Sequence, residues 1–597
     1  MFSKTKIISA VASVFLSAFA IEVSAQNWSG DFHLGGGTNF LKPDFAENDF
    51  SNISGETEGS VTFKKKDFDI NLYAGASSRK YSTLDNSVVV SSFEGGGDAD
   101  VNMSTAFSSA FALNIKAGAA LSYRFSENDN MNLGFSWNTA RSKPSYVIFW
   151  MYFYENPDDP DDYNMAAKFY DKVSDNRTDV FNLTGSYVHL FPKKPGSSLE
   201  VKADVSSTHL NNSTVFDFGS SGEEVDTSDP TYRITPLGDN TIANSSIAYK
   251  TGWDNFKLDG FLKSRISSDM DYQRAATLKM DEWVDSLSYK ADYDYLTLNI
   301  EPGVNFSFST KKFKADGSLS LDGYTSRLNA DLQGESHEDS FAKADIRLFA
   351  SLGLRYDLSD CSTLNFKYGR SHSRPSYGNV FRFMKQGSYA EELITGNPDL
   401  KPTETDKFNL AYSFKKDRFS FKTGFSDTYR YRMIESTYNY RIIDDIEYRV
   451  FTWVNVGHSN TMTGSLSLGW SGESFNAGIG ATLNGCVEYS GSGAKTQSSD
   501  YDINCSASYD FKYGFSVSAD AFYQSDIRRT YYSKTGYVGL NAGVSKKFKL
   551  FDVFIKGNDL LDKPITTTII AEDFSEVRMT ESTLSRRVFL AGIDFKF

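Results

Sequence analysis

The chain carries 597 residues, 76 acidic against 62 basic, for a formal charge of −14 and a mean hydropathy of −0.40. That balance argues against nucleic acid as a partner. Three cysteines are too few for a disulfide framework, and beyond the N-terminal leader no stretch approaches the ~18 apolar residues of a spanning helix.

In chain order, residues 1–25 read as a secretory signal. Lys4 and Lys6 form its basic start, Ile7 to Ala20 the apolar run, and Val23-Ser24-Ala25 a small-residue cleavage site, so that cleavage near Ala25 leaves Gln26 first. Residues 26–597 show no linker or composition shift and read as one domain. Short segments alternating apolar and polar residues recur about 22 times along it, the pattern of a transmembrane antiparallel β-barrel. Phe68, Ile70, Leu72, Ala74 and Ala76 share one face, opposite Asp69, Asn71, Tyr73 and Gly75. Phe256, Leu258 and Leu262 likewise oppose Lys257, Asp259, Lys263 and Arg265, with Phe261 the exception on the polar face. A packed sandwich core would need a partner for each such charge. These four residues are therefore the candidate lining of a wide, wet lumen.

Two classes of connection alternate. The tight ones fall at 64–66, 127–130, 192–196, 253–255, 310–312, 359–360, 415–417, 471–473, 512–514 and 546–547. The long ones fall near 40–56, 82–104, 143–176, 211–238, 267–292, 327–341, 374–402, 436–448, 490–499, 527–534 and 562–580. Short turns on one rim and long loops on the other assign the former to the periplasm and the latter to the cell surface. Parity places Cys486 with the inward Asn476 and Asn484, and Cys505 with the lipid-facing Ile503, Ala507 and Phe511. No bridge between them is expected.

The last strand sets Phe589, Ala591, Ile593, Phe595 and Phe597 against Gly592, Asp594 and Lys596. It resembles the C-terminal signal read by the bacterial barrel-assembly machinery, with Ile593, Phe595 and Phe597 carrying the likeness. A second motif lies upstream. Tyr368-Gly369-Arg370-Ser371-His372-Ser373-Arg374-Pro375-Ser376-Tyr377 precedes Gly396-Asn397-Pro398-Asp399-Leu400-Lys401-Pro402 and the strand Phe408 to Tyr412. Together with Val553 to Asp562, this resembles the outer-membrane β-barrel family of Bacteroidota, whose members look like the barrel part of TonB-dependent receptors. The resemblance implies an outer-membrane location, outer-membrane lipid around the wall, and uptake or passage of a solute. The stretch Gly378-Asn379-Val380-Phe381 departs from the family's usual Leu-Asn-Pro. A larger departure is the plug. The first strand, at Gly30 to Gly35, begins within a few residues of the cleavage site, which leaves no room for a plug domain.

No catalytic motif is present: the six histidines are scattered, and no zinc-protease, nucleophile-elbow or phosphate-loop pattern occurs. Neither enzymatic activity nor a cofactor or metal is expected. The carboxylates from Glu155 to Asp162 could hold Ca²⁺, but read first as a solvated loop tip. The aromatic run Phe149 to Tyr154 suits an outer interfacial girdle, and the lysines of the short turns suit solvated caps near anionic headgroups. Two functions compete. One is a transport barrel that is open, occluded by its own loops, or served by a separate plug or surface lipoprotein. The other is a structural or surface-binding barrel without transport.

Overall fold

The computed structural model describes residues 28–41, 50–91, 100–156, 159–221, 232–279, 282–332, 341–380, 384–386, 392–443, 446–489, 495–528, 532–561, 565–570, 576–583 and 588–596. The leader and Phe597 lie outside them. Among these residues, twenty-two strands form one antiparallel ladder in sequence order, from Trp28–Leu41 to Val588–Lys596. Six shorter strands stand off it: Met384–Gln386, Glu392–Thr395, Ile527–Arg528, Tyr532–Lys534, Ile565–Ile570 and Glu576–Thr583. The first strand takes Phe50–Lys65 on one edge and the last strand on the other, Asp31 opposite Lys596 through Thr38 opposite Phe589. Pairing both edges leaves fewer backbone groups unpaired in lipid, where each would cost several kcal/mol.

The tight turns fall within a few residues of the positions the sequence marks, and three show why. Lys66, Asp254 and Asp417 each open a two-residue turn at φ +49°, +47° and +51°. That left-handed start matches the twist of the flanking strands. Aromatic rings bracket the turns: Trp253 and Phe256 lie 5.1 Å apart, Phe548 and Phe551 4.6 Å, Phe63 and Phe68 6.4 Å, and Phe414 and Phe419 6.4 Å. This ring of side chains is the periplasmic girdle, amphipathic enough to sit at headgroup level. The sequence reading placed a girdle only on the opposite rim, at 149–154, where the side chains lie outside the described set.

Above the girdle the faces separate as expected. On Phe256–Lys279, Leu258, Leu262, Ile266 and Met270 are between 36% and 48% exposed on the lipid side. Opposite them, the ring of Phe261 lies over Gly303, its cross-strand partner, where an added Cβ would come within 2.4 Å of the ring. Lys263 caps that ring at 4.3 Å. The one aromatic on the polar face is therefore the filler for a glycine. Cys486 is buried opposite Thr461 and Ser498, whereas Cys505 is exposed beside the lipid-facing Ile479.

The outer connections differ from expectation. The supposed loop at 143–176 is almost wholly strand: Asp129–Asn156 runs 28 residues and Asp159–Leu190 runs 32, paired nearly to their tips. Its Val, Ile, Tyr, Phe and Trp content favours a pleated hairpin whether or not lipid surrounds it. Residues 82–91, 100–104, 267–279 and 282–292 are strand as well.

The wall also bends. Ser362–Ser373 pairs with Phe341–Ser359 only as far as Arg370 opposite Ala350. Beyond that point Ser371, His372 and Ser373 pair only with Thr405, Glu404 and Thr403. Ser362–Ser373 parts from its neighbour there, while Thr403–Lys416 stays paired with Phe419–Ile443 as far as Glu404 opposite Tyr431; at this point the face that carries Leu364, Phe366, Phe408 and Leu410 turns to Arg370, His372, Glu404 and Asp406. Charges on that face are costly in hydrocarbon.

Candidate functional site

Past this point residues 372–380 and 392–402 lie against the inner wall. Three neighbouring strands, Glu282–Ser309, Phe313–Leu332 and Phe341–Ser359, supply the docking face. Asp322 is its centre. Its carboxylate accepts hydrogen bonds from Asn299 Nδ2 (3.1 Å), His372 Nε2 (2.9 Å) and Arg374 Nη1. The His372 ring stacks on Phe349 at 4.3 Å, and the Arg374 guanidinium lies 4.3 Å over the Tyr324 ring. Asp322 is 4% exposed, so its charge depends on these partners. Beside it, Arg347 bridges Asp345 (2.7 Å) and Glu404, and Glu404 also receives Tyr431 and Arg432.

The motif loop is fastened at its far end as well. Lys343 Nζ donates to the carbonyls of Leu400 (2.6 Å) and Pro398 (3.3 Å). The Asn455 amide takes the Lys401 N–H (2.7 Å) and returns a bond to the Lys401 carbonyl (2.8 Å). Asn397 accepts the Asp399 N–H at 3.0 Å, an Asx turn, and donates to the Trp453 carbonyl at 2.9 Å. Gly396 links this turn to Glu392–Thr395, which pairs in parallel with Arg449–Phe451. Leu400 is 1% exposed, Pro402 is buried, and Asp399 faces solvent. Hydrogen bonding and burial together make this an insert of the barrel rather than a loose loop.

Below it the lumen opens into a cavity of about 850 Å³, lined by Lys202, Asp204, Lys263, Arg265, Asp269 and Glu301 and roofed by His372, Arg374 and Pro375. Lys257 and Asp259 line a second space of about 830 Å³ nearer the periplasmic turns. Of the four candidate lining residues, Lys263 and Arg265 border the first space and Lys257 and Asp259 the second. Charges of both signs alternate, as in the Lys263–Glu301 pair at 3.4 Å. The surface is polar without a dominant sign.

The last strand, by contrast, is a wall element. Ile593 faces Leu34 and Val553 in the ladder, and the Phe595 ring sits 5.8 Å from Phe551 in the girdle. Sequence reasoning missed Asp322, Lys343, Arg347, Phe349 and Asn455. Each occupies an ordinary lumen position, and only the docked insert distinguishes it.

With the geometry in place, the chain can be set beside known proteins. Its sequence matches the outer membrane protein beta-barrel family over residues 189–595. No curated protein matches it. Its fold is similar to that of the siderophore receptor PirA from Pseudomonas aeruginosa, at 10% identity and a TM-score of 0.56 over 96% of this chain and 81% of that one. The ferric-catecholate import receptor Fiu from E. coli K12 gives 11% identity and 0.61 over 95% and 82%. The FrpB iron transporter from Neisseria meningitidis gives 11% and 0.55 over 96% and 82%. At these identities the likeness is one of fold. The family match spans more than half of the sequence, and the chain belongs to the outer membrane protein β-barrel family.

Proposed function

We propose that this protein passes a hydrophilic solute across the outer membrane through its own lumen, and that the insert formed by residues 372–380 and 392–402 narrows the passage. The observation that carries this is the docking of the insert on the inner wall above a polar, charge-mixed cavity. A ladder of twenty-two strands encloses a lumen wide enough for a water-filled channel. An internal constriction then offsets the permeability hazard that such a width creates. Solved structures of similar fold are described as a siderophore receptor, an iron transporter and a ferric-catecholate import receptor. That supports uptake as the direction of transport. A leader cleaved near Ala25, delivery through the barrel-assembly machinery by way of Ile593, Phe595 and Phe597, an origin in Bacteroidota and a role without catalysis complete the proposal. A separate plug or a surface lipoprotein remains its natural partner if the insert alone does not seal the lumen.

Single-channel conductance in a planar bilayer tests it. The wild-type barrel is expected to conduct weakly, and a variant with residues 378–395 replaced by a short Gly-Ser linker to conduct several-fold more. Equal, large conductance in both proteins would refute the constriction. Silence in both would refute passage through the lone chain and favour a surface-binding barrel, for which the long paired strands Asp129–Asn156 and Asp159–Leu190 offer a platform.

A further inference from the structure

One arc of the inner wall carries charge of a single sign. Ser362–Ser373, Thr403–Lys416 and Phe419–Ile443 are adjacent strands. Leu364, Phe366, Phe408, Leu410 and Phe425 take their lipid side, so alternation turns Lys367, Lys407, Lys422 and Arg430 toward the lumen. All four side chains are exposed. The register gathers three of them. Lys367 stands opposite Asn409, two residues from Lys407, and Lys407 stands opposite Thr428, two residues from Arg430. Each step is a diagonal of about 7–8 Å, within reach of long side chains. Lys422 lies lower on the same face.

No carboxylate of these strands offsets them. Over 362–373, 403–416 and 419–431 the lumen-side positions hold only Ser, Thr, Asn, Gly and Ala besides Lys and Arg. Glu404, Asp406 and Asp427 fall on the other face. Elsewhere on the inner wall cations sit against carboxylates, as in Lys116–Glu58 at 2.7 Å and Lys250–Glu200 at 2.6 Å. On the neighbouring strand Asp357 is taken by Arg355 at 3.0 Å and Asp345 by Arg347 at 2.7 Å. Asp316, which leans over Gly353, the cross-strand partner of Lys367, faces Lys314 at 3.7 Å. Among the described residues, none forms an ion pair with Lys367, Lys407, Lys422 or Arg430. The floor between the cations is low: a Cβ added at Gly369, opposite Lys407, would meet nothing within 4 Å. Asn365 and Asn409 add amide donors to that floor. Repelling cations on a low-dielectric wall draw their counter-charge from solution. Ammonium and guanidinium groups both suit phosphate or carboxylate oxygens.

We infer that Lys367, Lys407 and Arg430 form an anion site on the lumen wall, which takes a solute bearing two or more adjacent anionic groups. Combined with the transport reading, on which this step alone rests, the site names the class of solute that passes. Titration calorimetry of the mature barrel in a non-ionic detergent tests it, with pyrophosphate and citrate as probes. At least one probe should bind, more weakly as salt is raised. Lys407→Gln, at an exposed side chain, should weaken that binding about tenfold, the worth of one hydrogen bond to a charged group. Lys407→Arg should restore most of it. Lys116→Gln, which removes a cation from a distant arc of the wall, should leave it unchanged. Failure of both probes to bind overturns the inference. So does an equal loss from Lys407→Gln and Lys116→Gln, which would mean diffuse attraction without a site. Conduction plays no part in this measurement. A barrel that conducts but binds neither probe refutes the site alone, and one that binds a probe but stays silent refutes the passage alone.

Discussion

Replacing Asp322 with alanine should release the insert without opening the barrel. The carboxylate is buried and holds Arg374, His372 and Asn299 at once. Its loss strands a guanidinium whose Nε and Nη2 already have no partner. Removing one member of a buried pair costs about 3–5 kcal/mol, mostly because the other charge is left uncompensated. The cost falls on the docked state alone, since an undocked Arg374 reaches water. At 1.4 kcal/mol per tenfold change, even the lower figure raises the open population about 100-fold. Hydrogen exchange followed by mass spectrometry reads this population locally. The N–H groups of Asn397 and Lys401, bonded to the Asn379 carbonyl and the Asn455 side chain, should exchange about 100-fold faster. Amides of the paired strand Phe475–Tyr489 should not change. Unaltered exchange at 397–401 would show that Asp322 does not hold the insert. Acceleration spread evenly over all strands would show that it supports the barrel as a whole.

Three further outcomes are expected. Gly303→Val should destabilise the barrel by about 1–3 kcal/mol, because its Cβ meets the Phe261 ring at 2.4 Å and Ser320 Cβ at 2.6 Å. Heat-modified gel mobility measures the loss, and adding Phe261→Ala should recover part of it. Leu262→Arg, on the lipid face, should cost about 2–4 kcal/mol in refolding into bilayers, whereas Lys263→Arg next to it should cost almost nothing; equal costs would mean that the faces are assigned the wrong way round. Lys66→Gly, at φ +49°, should raise stability by up to about 1 kcal/mol, since glycine occupies that region without a Cβ clash, and a drop in unfolding midpoint would argue against a strained turn.

Much of the wall is legible residue by residue. Period-two alternation around Lys257 to Arg265 gave the faces, and short polar breaks such as Lys64 to Lys66 gave the turns, because both are local consequences of strand geometry and hairpin dihedrals. The outer strands were underestimated for a physical reason: beyond the membrane the hydrophobic constraint disappears, yet pairing continues, so polarity stops reporting on secondary structure. The inward fold was harder still. Its trace is the change along one face from Leu364 and Phe366 to Arg370 and His372, mirrored by Phe408 giving way to Asp406 and Glu404. That change says this face must leave lipid, but not where the chain goes next. Arg374 and Pro375 were marked for a motif and proved to be the roof of the lumen, while Asp322, fifty residues upstream, carried no signal until the chain brought them together.

The length of Asp159–Leu190 has a consequence at the scale of the cell surface. Thirty-two residues at about 3.3 Å each, tilted by about 40°, rise roughly 80 Å, of which the hydrocarbon accounts for only about 25 Å. The tip of this hairpin therefore stands some tens of ångströms above the bilayer, beyond the sugars nearest the lipid. Phages, antibodies and neighbouring cells would meet this edge well before they reached the lumen.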